Sequence, residues 1–430
     1  MITSLPARLR ATTPALRALL LADGLFMLAT MIGAVAVPWW ISAHGGAAHL
    51  ALQGVVGSCC AFIAAPLLGP LGDRHEKRWL IAVGLAGLAL VALLLAVVAG
   101  LEHYAAGWVI VYAMLGSLAG GLAMPALMTL AAELVRAEAL PEALSLQRSA
   151  QSLGRVLGPL VAGVALALST GAALGLQALL LLAAVALALR LPRAKAAPRA
   201  ARTWASWRAD LRAGLRACWA MPLERGWTLV NFVGVIFMVP AFTMLVPLKV
   251  RALGLGAAWL GAAEAGLSVG MLIGALGGSA WVAQRIGRYA TRVGATAAQG
   301  LCLALAGAAD HGAVLVLALF GVGLANSCGV LVGQTHRMLA IPQHFRARVQ
   351  AVGTMSLTVA SALGPALAGL ALTQASVASV YIGFGLAAGL SALGFLLVPD
   401  FRLLMAQDHE MVKDWYARRH PELFGPVASP

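Results

Sequence analysis

Six consecutive positions, Asp73-Arg74-His75-Glu76-Lys77-Arg78, hold two acids and three strong bases in a chain of which only 11% is charged. Apolar runs at 50–68 and 79–100 flank them, so they form a tight turn at a membrane surface. Opposite charges so close together make the turn a candidate latch. A weaker echo, Gln284-Arg285-Ile286-Gly287-Arg288, stands in the second half. The other chemistry is the isolated charge within an apolar run. Asp23 and Glu264 are such acids. A carboxylate at mid-helix depth costs roughly 2.5–3.5 kcal/mol on insertion scales unless it is paired or faces water. Each is therefore a candidate proton carrier or counter-ion to a cationic substrate, with a helix–helix hydrogen bond as the plainer alternative. Arg155 cannot readily lose its proton and needs a partner, for which Asp23, Glu133 and Asp73 are available. Arg148, Gln147 and Gln151 share its helix and could line a polar vestibule. Asn231, Asn326 and Gln334 supply hydrogen-bonding groups to the second half, though such residues more often join helices than hold ligands.

The elements that position these residues are set by composition. The 430 residues are 61% hydrophobic, with mean hydropathy +0.88. No soluble core needs that much apolar sequence. A bilayer core about 30 Å thick takes ~20 helical residues to cross, and apolar segments of that length recur. They lack the period-two alternation of transmembrane strands. The expectation is an all-α, polytopic protein of twelve helices, near 17–41, 49–70, 79–100, 106–132, 144–168, 171–191, 227–249, 257–282, 292–309, 312–335, 347–372 and 376–398. With these spans, 28 of the 30 Lys and Arg residues fall on one side, and only Lys249 and Arg251 on the other. The positive-inside bias then places both termini and the central loop in the cytoplasm, and the protein in the cell inner (plasma) membrane. Trp39, Trp40, Trp79, Trp108, Trp227, Trp259 and Trp281 fall near helix ends, as an interfacial belt requires. No cleaved signal peptide is read at the start; the first helix serves as the insertion signal.

The organisation expected is a six-helix bundle over 1–191, a linker over 192–226, a second bundle over 227–398 and a tail over 399–430. In the linker, Trp204, Trp207, Leu211, Leu215 and Cys218 or Trp219 share one helical face and Arg208, Arg212 and Arg216 another. That pattern predicts an amphipathic helix lying on the anionic leaflet. The tail is polar, and Asp408-His409-Glu410 is expected on a solvated helix. The five cysteines, scattered without metal spacing, are expected as small buried residues. No metal or other cofactor is expected. A net charge of +14 would point to nucleic acid in a soluble protein, but here the bases belong to membrane orientation and no nucleic-acid partner follows. No phosphate-binding Gly-rich loop and no nucleophile with its base is present, so the chain is not expected to be an enzyme.

The halves repeat. Leu157-Gly158-Pro159-Leu160-Val161-Ala162-Gly163 returns as Leu363-Gly364-Pro365-Ala366-Leu367-Ala368-Gly369, and Asp23 is answered by Asn231. Such repeats build secondary transporters as two bundles about a midplane site. The whole resembles the major facilitator superfamily. Its loop motif is matched at Gly69, Leu71, Asp73, Arg74, Lys77 and Arg78, with Glu76 where the family usually has glycine. The second copy keeps Arg285, Gly287 and Arg288, but has Gln284 for the acid and Ala280 for the leading glycine. Gly154, Gly158, Pro159 and Gly163 are similar to the motif of the antiporter members. The helix before 227, the 154–159 run and Glu264 resemble the efflux permeases that include macrolide and enterobactin exporters, with lysophospholipid flippases as neighbouring relatives.

The resemblance implies alternating access and proton-coupled export of an amphipathic drug-like or siderophore-like molecule, by a monomer in contact with membrane lipids. A lipid flippase is the alternative, and a non-transporting receptor or scaffold the alternative of another class. It also makes the 69–78 loop a cytoplasmic gate, with Asp73 capping a helix N-terminus for roughly 0.3–1 kcal/mol and Arg74, Lys77 and Arg78 pairing with acids such as Glu133 or with lipid phosphates. In a transport assay, Asp73→Ala is expected to slow turnover and leave substrate binding largely intact; lost binding with normal turnover would place Asp73 in the substrate cavity instead.

Overall fold

The computed structural model describes residues 13–192 and 204–424; at residues 65, 69–74, 132, 137 and 204–207 only the backbone course is described. The side chains of Gly69, Asp73, Arg74, Trp204 and Trp207, on which sequence expectations rest, therefore lie outside the described residues. Every regular element among the described residues is helical. The first half holds α1 (Pro14–His44), α2 (Gly46–Arg74), α3 (Lys77–Gly100), α4 (Ala106–Leu134), α5 (Leu140–Leu168) and α6 (Thr170–Ala188). The helix α7 (Trp204–Ala220) precedes α8 (Pro222–Thr243), α9 (Leu245–Ala252), α10 (Ala257–Ile273) and α11 (Ser279–Ile286). Then come α12 (Arg288–Ala308), α13 (Gly312–Ala340), α14 (Arg346–Ala371) and α15 (Val377–Leu397). Four short tail helices follow, α16 (Phe401–Ala406), α17 (His409–Val412), α18 (Trp415–Arg419) and α19 (Pro421–Phe424).

Among the described residues, eleven helical spans are long and apolar enough to cross a membrane. The other expected span is α12, whose 21 residues give about 31 Å at 1.5 Å per residue. It falls short on apolarity because it opens with Arg288 and Arg292. Hydroxyl caps start several helices: the Leu16 amide donates to Thr13 Oγ1, Ala172 to Ser169 Oγ and Ser379 to Ser376 Oγ. Each satisfies a donor that a helix start leaves free.

Two expected single helices are broken, each for a local reason. The span expected at 227–249 ends at Thr243 and restarts at Leu245. Pro247 has no amide hydrogen, and in a continuous helix its ring would strike the carbonyl of Thr243. The span expected at 257–282 contains a π-helical turn, Gly274–Gly278, in which Gly277 has φ +140°. Only glycine adopts that backbone without strain.

The chain divides into two compact units. Unit 1 comprises Met1–Arg202 with Gly256–Ala265, and unit 2 comprises Thr203–Leu255 with Gly266–Pro430. The core of unit 1 runs through Leu19, Ile81, Leu85, Leu127, Leu130 and Leu181. A core of unit 2 joins α7 and α8 to the tail through Cys218, Trp227, Phe395, Phe401, Tyr416 and Phe424.

That core corrects two expectations. The tail is not merely solvated: Asp408, His409 and Glu410 are exposed, but Phe401, Leu404, Val412 and Tyr416 are buried. The ring of Phe401 lies 5.0 Å from that of Trp227 and 4.9 Å from that of Phe395. Helix α7 docks on α14 and does not turn its whole apolar face outward. Asp210 accepts from Arg348 at 2.8 Å, and a Cβ at Gly214 would stand 2.6 Å from the Arg348 carbonyl. Ala217 and Cys218 are buried with it, whereas Leu215 and Trp219 share the exposed side with Arg208, Arg212 and Arg216. Cys59, expected buried, is exposed on α2. Phe401→Ala is expected to destabilise unit 2 by about 3–5 kcal/mol, the usual cost of emptying a buried aromatic site, seen as a lowered melting temperature in detergent. Asp408→Asn, at an exposed position, is expected to leave it unchanged.

Candidate functional site

One face of α5 carries Gln147, Gln151, Gly154 and Gly158, at steps of four, three and four residues. Residues so spaced point the same way from a helix. The two glycines let α5 lie against α1: a Cβ at 154 would stand 2.8 Å from the Leu28 amide nitrogen, and one at 158 would stand 2.4 Å from Met31 Cβ. This close approach sets both glutamines on Asp23. Gln147 Nε2 donates to Asp23 Oδ2 at 2.8 Å and Gln151 Nε2 to the same oxygen at 2.7 Å. Gln147 also donates to the Leu127 carbonyl on α4. Asp23 is 1% exposed. Neutral amides hold it, so the pairing of Arg155 with Asp23 is not formed. Nor is that with Glu133, which accepts from Lys77 Nζ at 2.5 Å. Arg155 is half-buried and Arg148 exposed. Further along α5, Gly163 and the Pro159 carbonyl lie against Gly261 of α10. Glu264, one turn later on α10, is half-buried and makes no hydrogen bond among the described residues.

In unit 2, α12 begins at Arg288, so Arg292 lies one turn inside the helix and is buried, 8% exposed. Its guanidinium donates to Asn231 Oδ1 at 2.7 Å and stands 4.8 Å from the Phe395 ring centre. Asn231 in turn donates to the Trp227 carbonyl. Arg337 on α13 donates from Nε to both oxygens of Glu224, at 2.8 and 2.9 Å, and both residues are buried. Next to this pair, the Cys218 thiol is pushed up to about 12, by burial first and then by the Glu224 charge. The Tyr416 phenol is raised well above its ordinary value, again by burial and then by Glu224. Both stay neutral, leaving Arg337 to compensate Glu224. Arg292 and Arg337 line one cavity of about 60 Å³ among α8, α12, α13 and α14. Arg292, Glu224 and Arg337 are not among the site residues expected from the sequence, whose spans leave Glu224 and Arg337 in loops and put Arg292 at the very edge of one. The signal was the helix start and stop, Pro222 and Arg288 at two N-termini and Ala340 at a C-terminus.

The remaining expected residues are spread out. Asn326 approaches Met238 Sδ at 3.9 Å. Arg285 is exposed beside Trp281. Gly287, with φ +82°, forms the turn between α11 and α12. Arg288 donates to the tail carbonyl of Gln407 and lies 3.8 Å from Asp408. Arg78 donates to the Leu191 carbonyl. Among the described residues no cluster of His, Cys, Asp and Glu could hold a metal ion.

The family model of the Major Facilitator Superfamily matches residues 19–354. A triacylglyceride transporter of Mycolicibacterium smegmatis is 39% identical over 113 residues, which are 26% of this chain and 19% of that protein. One of Mycolicibacterium hassiacum is 37% identical over 107 residues, 25% of this chain and again 19% of the relative. The matches thus span about a fifth of the curated relatives' length. Among solved structures, the nucleoside transporter NupG superposes with TM-score 0.69 at 15% identity, over 92% of this chain and 100% of that one. A POT family transporter in complex with 5-aminolevulinic acid gives 0.70 at 11% identity, over 90% and 96%. A bacterial homologue of the human lysosomal transporter Spinster gives 0.64 at 14% identity, over 96% and 99%. At these identities the likeness shows the fold.

Breaking a buried ion pair strands a charge and costs about 3–5 kcal/mol, whereas replacing both members by apolar groups is often neutral. Glu224→Gln is therefore expected to lower the melting temperature markedly, and the double variant Glu224→Leu with Arg337→Met to recover most of the loss.

Proposed function

This chain belongs to the Major Facilitator Superfamily and is a multi-pass membrane transporter rather than an enzyme, and we propose that it exports an amphipathic small molecule by alternating access, driven by inward proton flow. The carrying observation is Asp23, buried on α1 and hydrogen-bonded by two neutral amides. A cation in their place would lock the carboxylate in its ionised form; Gln147 and Gln151 do not, so a proton can be taken up and released there. One proton crossing ~150 mV supplies ~3.5 kcal/mol at about 2.3 per 100 mV, enough for a gradient of a few hundred-fold. The antiporter-like run Gly154, Gly158, Pro159 and Gly163 supports export, through its role in seating α5 against α1 and against the first part of α10.

In this reading the 69–78 loop is the gate, and the Lys77–Glu133 ion pair between α3 and α4 is its described part. Arg285, Gly287 and Arg288 are the matching turn of the second half. The bias of Lys and Arg to one side supports cytoplasmic termini in an inner membrane. The organisation as an N-terminal bundle over 1–191, a linker, a C-terminal bundle over 227–398 and a tail belongs to the same proposal, as does the monomer. The drug and siderophore exporters remain the proposed branch. The partial match to triacylglyceride transporters favours a lipophilic cargo, and lipid flipping is accordingly the second reading.

In proteoliposomes with an imposed pH gradient, Asp23→Asn is expected to abolish proton-driven accumulation of a lipophilic dye and preserve exchange down its own gradient. Glu264→Gln tests the other isolated acid in the same assay. Wild-type coupling in the double variant would sink the proton mechanism, and scrambling of a fluorescent phospholipid without a pH gradient would select the second reading.

A further inference from the structure

Arg292 is more than nine-tenths buried, yet no carboxylate pairs with it among the described residues. The only hydrogen bond of its guanidinium there is to the amide oxygen of Asn231. Its Nε is buried without a hydrogen-bond partner. Glu224 does not supply the missing charge, because both its oxygens accept from Arg337. Two cations and one anion thus leave one positive charge uncompensated in an apolar helix bundle. An uncompensated buried ion costs several kcal/mol. The neighbouring backbone is shaped around this costly side chain. A Cβ at Gly333 would stand 3.2 Å from Arg292 Nε, and one at Gly329 would stand 3.0 Å from its terminal nitrogen.

Among the described residues, the wall of the cavity that Arg292 and Arg337 share contains no acid. Its other polar groups are neutral: Thr228, Asn231, Gln334, Gln350 and Ser356. Trp227, Val330 and Leu357 add apolar surface. A ligand there meets guanidinium, hydroxyl and amide donors with one net positive charge, the complement of an oxyanion. At roughly 10–15 Å³ of such space per water, about 60 Å³ admits a small head group and not a long chain. Gln334 and Gln350 are exposed, so the cavity has an open mouth past which an apolar chain can extend.

We propose that this cavity of unit 2 is an oxyanion-binding site, in which Arg292 and Arg337 hold the carboxylate or phosphate head of an amphipathic molecule. The proposal rests on the transporter reading above and names the charge of its cargo.

The test is equilibrium binding of radiolabelled dodecyl phosphate to the full chain in phosphatidylcholine nanodiscs. Dodecanoate is expected to compete, and dodecyltrimethylammonium is not. Arg292→Gln should weaken binding roughly tenfold or more, the scale of one charge-assisted hydrogen bond, and Arg292→Lys less. Gln350→Glu retains both arginines and the residue's shape but adds a carboxylate at the mouth; it should weaken binding too, and decides the matter if Arg292→Gln melts early. Inorganic phosphate competing as well as dodecyl phosphate would assign the site to the free ion and overturn the amphipathic ligand. Binding that is unchanged in Arg292→Gln and Gln350→Glu, or equal competition by dodecyltrimethylammonium, would overturn the site itself. Absent proton-driven flux with intact Arg292-dependent binding would instead sink the transport reading alone.

Discussion

A polar group inside a bundle of apolar helices has to be satisfied by other protein groups, because hydrocarbon offers it nothing. Three solutions to that constraint occur here, and they differ in what they leave open. Glu224 and Arg337 neutralise one another through two hydrogen bonds from Nε, a closed pair that resists change. Asp23 is held by the amides of Gln147 and Gln151, which solvate the carboxylate without supplying a charge. Arg292 has an amide oxygen, an aromatic face and a cavity, which leaves its charge unmatched. None of these arrangements tolerates loose helix packing. The hydrogen bonds to Asp23 exist because Gly154 and Gly158 admit α1 to the backbone of α5. The Arg292 side chain fits because Gly329 and Gly333 give it room on α13. These four glycines are thus tied to the buried polar chemistry of the chain.

Much of this fold can be read from hydropathy, since a span must be about twenty apolar residues long whatever its neighbours are. What hydropathy marks is the width of the hydrocarbon, not the ends of the helix. Starting the ninth span at 292 puts Arg292 at its very edge, counted with the loop charges, whereas α12 starts at Arg288 and carries it one turn inside. Ending the tenth span at 335 leaves Arg337 in a loop, and starting the seventh at 227 leaves Glu224 in one. An error of a few residues at a polar helix end converts a buried site into apparent orientation charge. The partners of Asp23 were visible as a helical spacing on α5. That Gln147 and Gln151, and not Arg155 of the same helix, meet Asp23 depended on tertiary packing. The docked tail was hidden for another reason. Its helices are four to six residues long, too short to show a hydrophobic period. Its buried Phe401, Leu404, Val412 and Tyr416 are separated by charged residues, among them Arg402, Asp408, Glu410 and Lys413.

The two halves repeat most closely where backbones meet. Leu157–Gly163 and Leu363–Gly369 both hold a proline within a helix, and Gly364 lies against Ile236 of α8 as Gly158 lies against α1. Steric complementarity of this kind permits little change at either partner. Polar positions are freer to diverge, provided each stays satisfied. At the matching place in the first long helix of each half, Asp23 accepts from two amides, while Asn231 accepts from an arginine. The repeat has kept the helix packing and reversed the charge arrangement.

That reversal has an energetic consequence for the proposed exporter. In a membrane negative inside, an anionic head moving outward and a proton moving inward both travel with the field. Each charge contributes about 2.3 kcal/mol per 100 mV, so exchanging one proton for one monoanion gains about 4.6 kcal/mol per 100 mV, against half that for a neutral cargo. A cationic cargo moving out would cancel the proton's electrical contribution and leave only the pH difference to drive it. The proton-cycling acid proposed for unit 1 and the unmatched cation in unit 2 are therefore energetically compatible devices. The oxyanion site makes the membrane potential act on the cargo as well as on the proton.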